Sequence, residues 1–119
     1  MATYTNSKTG EKHYVAPFTG AQTDQEVIAA PATGYAIVLH RVMVSSSANA
    51  TVFFEQGATL VAGAYLLAAG QQAAVWDFPR GSDGNGRYAG RELTNATNLT
   101  ITTSAGDCYV DIVYTVAAS

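Results

Sequence analysis

The chain is 119 residues long, 48% hydrophobic and only 13% charged, with a net charge of −3. That length suits one domain with its own core, and a charge content about half the typical ~25% excludes charge-driven disorder. Its six basic residues are scattered, giving neither the clustered patch of a nucleic-acid binder nor a basic amphipathic membrane helix, so neither partner is expected.

Residues 1–20 are polar and irregular, with Tyr4, Tyr14 and Phe18 as isolated anchors. They read as an N-terminal arm that lies along another surface, with residues 12–18 able to form an edge strand near Pro17. Residues 1–8 carry neither the basic start nor the apolar stretch of a secretory leader, which points to a soluble protein made in a cytoplasm. The sandwich domain is expected over residues 21–119.

A short strand is predicted at 26–29, closed by Pro31 and Gly34. Residues 35–45 follow, with Ala36, Val38, His40, Val42 and Val44 on one face and Tyr35, Ile37, Leu39, Arg41 and Met43 on the other. Both faces are largely apolar, as in a strand covered on two sides. A small sandwich covers only one face of each strand. The second cover must then come from the arm, a loop or a neighbouring subunit, which makes Tyr35, Arg41 and Met43 interface candidates beside Tyr4, Tyr14 and Phe18.

The polar run at 45–49 reads as a hairpin connection to a strand at 50–55. Residues 59–67 favour helix by their alanines and leucines, but Gly57, Gly63 and Gly70 cut the stretch short. Two short strands, 59–61 and 64–67, around a turn at Gly63 are predicted instead. Residues 73–78 form the next strand, holding the single tryptophan, Trp76. A glycine-rich loop at 80–86 separates it from two closing strands. In the first, 98–103, Leu99 and Ile101 share a face. In the second, 108–116, Cys108, Val110, Ile112, Tyr114 and Val116 point inward and Tyr109, Asp111, Val113 and Thr115 outward. About eight short strands at this spacing predict an antiparallel β-sandwich of jelly-roll type.

The residues of known chemistries do not fall into working patterns. His13, His40 and Cys108 are far apart and lack metal-ligand spacing. The lone Cys108 excludes an internal disulfide and, within an apolar strand, reads as a buried inert thiol. Asp83, Gly84, Asn85 and Gly86 resemble a fragment of a calcium loop without its closing glutamate, even if Asp77 is added, so a tight turn is the better reading. No nucleophile elbow or phosphate-cradling loop is present. No cofactor and no enzymatic activity are expected.

The string at 50–70, from Ala50-Thr51-Val52-Phe53-Phe54 through Gln56-Gly57 and Thr59-Leu60 to Leu66-Leu67-Ala68-Ala69-Gly70, resembles small β-sandwich virion proteins of tailed bacteriophages. In those proteins a strand ending in a Ser/Gln-Gly turn precedes a Thr-x-Leu-x-Gly step and an apolar Leu-x-Ala-Gly piece. Leu99-Thr100-Ile101 and Val113-Tyr114 are similar to their closing strands, so the resemblance spans about residues 35–116. The chain departs from the pattern at 86–90, where an aromatic glycine-containing step belongs. The resemblance implies a structural subunit, commonly a capsid decoration (cement) protein that binds the major capsid protein on the outside of the head. Such proteins are often homotrimers. The alternatives are a tail, fibre-tip or head–tail joining component, or a lectin-like module with Trp76, Tyr88 and Tyr109 stacking on sugars.

Overall fold

A computed structural model describes residues 2–8, 10–57, 59–71, 73–78 and 90–118. Among the described residues ten strands run in chain order: β1 (Ala2–Thr5), β2 (Lys12–Phe18), β3 (Gln22–Ile28), β4 (Tyr35–Ser46), β5 (Ala50–Gln56), β6 (Thr59–Leu67), β7 (Ala74–Asp77), β8 (Arg91–Glu92), β9 (Leu99–Thr103) and β10 (Cys108–Ala118). No described residue is helical. The first sheet has the order β1-β2-β10-β4-β7, with β8 also on β4; the second has the order β3-β9-β5-β6.

All the described pairings are antiparallel, and one set of them is nested: β2 with β10, β3 with β9, β4 with β7 and β8, β5 with β6. This is a long hairpin rolled over so that successive rungs alternate between sheets, the jelly-roll arrangement. The turn expected at 45–49 therefore closes no hairpin. It carries the chain from one sheet to the other, pinned where the Ser47 N–H donates to the Asp107 carbonyl at 2.9 Å.

Between the sheets the core is a single cluster. Phe54, Ile37, Leu39, Leu99, Ile101, Ile112 and Val52 are fully buried there. The alternation of β9 and β10 places Leu99, Ile101, Cys108, Val110, Ile112 and Tyr114 inward. Val116 departs from it: near the end of β10, it is exposed.

The two-faced apolar strand has a local cause. Val113 of β10 pairs with Arg41, but Tyr114 pairs with Leu39, leaving His40 as the extra residue of a β-bulge. A bulge shifts the alternation by one position. Ile37 and Leu39 therefore join the same core as Val42 and Val44. Only Ala36 and Val38 remain buried on the other side, outside that cluster.

The segment expected as an arm, residues 1–20, contains the strand expected at 12–18. Its residues form the β1–β2 hairpin, and β2 pairs along β10 from Lys12 to Phe18. Tyr14 and Ala16 enter the core, Tyr14 with only 4% exposure, and Phe18 packs against it. Burial, reinforced by nearby Tyr114, pushes the Tyr14 hydroxyl above its ordinary pKa. Only β1 keeps the expected exposed, polar character. Pro17 lies past the end of β1, where β2 is an edge strand and tolerates a residue without an N–H.

Gly63 makes no turn either. β6 runs through it as one strand, with register shifts opposite Val52, Phe54 and Glu55. Gly63 has φ of +115°, and a Cβ there would sit 2.7 Å from the Val52 carbonyl oxygen, so only glycine fits.

Candidate functional site

Directly opposed residues of antiparallel strands share a face. On the outside of the first sheet they form three rows. Pro17, Tyr109 and Ser45 make the first. Ala2, Val15, Asp111, Met43 and Val75 make the second, and Tyr4, His13, Val113, Arg41 and Asp77 the third.

The rows differ in chemistry. The first two are mainly apolar: Val15, Val75 and Tyr109 are exposed, Tyr109 at 57%, and Met43 is half-buried among them. Val15, Pro17, Met43, Ala73, Tyr109 and Asp111 line a depression of about 350 Å³. The third row is charged. The Arg41 guanidinium donates from Nε to Asp77 Oδ1 at 2.6 Å and from Nη2 to Oδ2 at 3.3 Å. That hydrogen bond holds the Asp77 carboxyl below its ordinary pKa and raises Arg41. His13 Nε2 reaches diagonally to Asp111 Oδ1. The face is thus largely apolar, with the Arg41–Asp77 pair along one side and Asp111, paired with His13, between Val15 and Met43.

Three of the six expected interface residues meet here: Tyr4, Arg41 and Met43. Tyr14 and Phe18 face the opposite way, into the core. Tyr35 is exposed at the start of β4, opposite Ala118 and in phase with Ile37 and Leu39. Val15, Pro17 and Val75 were missed as members of the face. The signal for the first two was the alternation of residues 12–18 itself, which places His13, Val15 and Pro17 opposite Tyr14, Ala16 and Phe18.

Arg41 forms its ion pair within the chain, and His40 donates or accepts at Thr115 Oγ1 across 3.0 Å. Of the set Trp76, Tyr88 and Tyr109, the first and last do not share a face. Tyr109 lies on the sheet face, Trp76 is in the opposite phase on β7, and Tyr88 lies outside the described residues. The turn at Asp83 and Asn85 lies outside them as well. Among the described residues no three His, Cys, Asp or Glu side chains are grouped to hold a metal ion. Comparison with known protein families, with characterised proteins and with solved structures found no match to this chain.

Proposed function

We propose that the chain is a structural virion protein of a tailed bacteriophage, a capsid decoration (cement) protein bound to the outside of the head. In this reading it acts as a homo-oligomer, with a trimer favoured, and the oligomer docks on the major capsid protein. The observation that carries the reading is the outer face of the first sheet. Val15, Pro17, Met43, Val75 and Tyr109 present a largely apolar surface there, around Asp111, whose charge is paired with His13, and exposed apolar patches mark contact sites. Tyr and Met are among the residues enriched at interfaces, and the flanking ion pairs supply a polar border. The occupant assigned to the patch is a second copy of the chain. A jelly roll also supports the reading, since capsid proteins use that architecture, as do lectins.

Imaging virions produced from the source genome, with mass spectrometry of their proteins, tests this directly. Density for this sandwich on the outer shell is the expected result. Particles that lack the chain, or carry it only in the tail, would refute the decoration role.

A further inference from the structure

At the edge of the sandwich far from β1 the two sheets part. There β6 closes one sheet and β7 and β8 close the other. Between them lies a cleft of about 460 Å³ lined by Leu60, Gly63, Tyr65, Trp76, Phe78 and Arg91. That volume suits a small ligand. The Tyr65 and Trp76 rings lie 6.5 Å apart with their planes at 49°, forming an open V rather than a stack. Tyr65 is braced from behind by Phe54, edge-on at 6.2 Å. Trp76 stays 53% exposed.

Arg91 supplies the charge. Its guanidinium sits 5.2 Å from the centre of the Phe78 ring and donates Nη1–H to the Val61 carbonyl. Ring and carbonyl together fix its position. No carboxylate among the described residues pairs with it. Of its five donors, no other bonds to an acceptor among the described residues.

We propose that this cleft binds an acidic sugar, a pyranose ring bearing a carboxylate. The C–H face of the ring lies on Trp76 and Tyr65, and the carboxylate takes a charge-assisted, two-pronged hydrogen bond from Arg91. The hydroxyl groups remain in water at the open mouth. An added peptide strand is a poorer fit, because β6 shifts register at Val52, Phe54 and Glu55 and offers no straight edge to pair with. This site is distinct from the apolar face proposed for assembly.

Trp76 is the only tryptophan beside seven tyrosines, so fluorescence excited beyond the tyrosine absorption reports on the cleft. The full chain is titrated with trimers of galacturonic acid and of glucuronic acid, and with their neutral methyl esters. A saturable change in intensity or wavelength with at least one acid, weakened roughly tenfold or more by its methyl ester, is expected. Arg91→Gln should weaken the acid by a similar factor and leave the ester unchanged. No saturable response to either acid up to the order of a millimolar would overturn the proposal. Equal affinity for acid and ester would overturn it as well. If the Arg91→Gln variant does not fold, the comparison of acid with ester on the unaltered chain still decides.

Discussion

Phe54 is fully buried and touches Tyr65 edge-on, so it ties the core to the braced wall of the cleft. Phe54→Ala should lower stability by about 3–5 kcal/mol, the usual cost of removing a buried ring and leaving a cavity, read from the urea midpoint. Cys108 is also fully buried, and burial raises its thiol pKa despite hydrogen bonds with Ser46 and Thr103 that pull it back in part. Little thiolate exists near neutral pH, and that ion is the reactive form. A thiol reagent should leave the native chain unmodified and label one cysteine per chain after denaturation. Asp77 has the opposite shift: the Arg41 hydrogen bond lowers its carboxyl pKa. A carboxyl depressed in the folded state adds stability that is present above its unfolded pKa and lost as pH falls through the folded one. Both partners are exposed, so the effect is small. Asp77→Asn should therefore melt slightly below the unaltered chain near pH 7, and the gap should close below the ordinary carboxylate range, around pH 4.

The first hairpin is where local pattern and tertiary role diverge most. β2 pairs with β10 over seven residues, from Lys12 to Phe18, and buries Tyr14 and Ala16. Removing residues 1–18 would expose that side of the core and leave β10 without its neighbour. The truncated chain should lose cooperative thermal unfolding, or melt far lower, by circular dichroism. A truncation that melts like the full chain would show the hairpin to be dispensable. The strands at 35–46, 99–103 and 108–118 were legible because β-branched and aromatic residues alternate through them with clear turns between. The hairpin was less so: Lys12, His13 and Pro17 dilute the pattern, and its inward side spends one position on a small alanine. The bulge at His40 was not legible. One extra residue inverts the alternation, and an inverted apolar strand looks the same in sequence as a strand covered on both sides. The through-strand at Gly63 was hidden by the same limit, since a glycine can mark either a turn or a close backbone approach.

At the scale of the whole molecule, rolling the nested pairs into two sheets leaves two surfaces of different kind. The outer face of the first sheet carries an apolar patch beside paired charges, and the far edge opens a narrow aromatic cleft. The jelly-roll class followed from strand number and spacing. Membership of the face did not, because it depends on cross-strand register that brings Val15, Met43 and Val75 from three separated segments into one row. If that face is the contact between copies, a carboxylate at Met43, directly opposite Asp111 and without the His13 partner that Asp111 has, should break the contact without disturbing the core, since Met43 points away from it. Light scattering after size exclusion, on the unaltered chain and on Met43→Glu side by side, is the most direct measurement. The expected result is a stable multiple of 12.4 kDa, three copies favoured, for the unaltered chain and a folded single copy for the variant. A single copy for both at micromolar concentration, or the same multiple for both, would contradict assembly through this face.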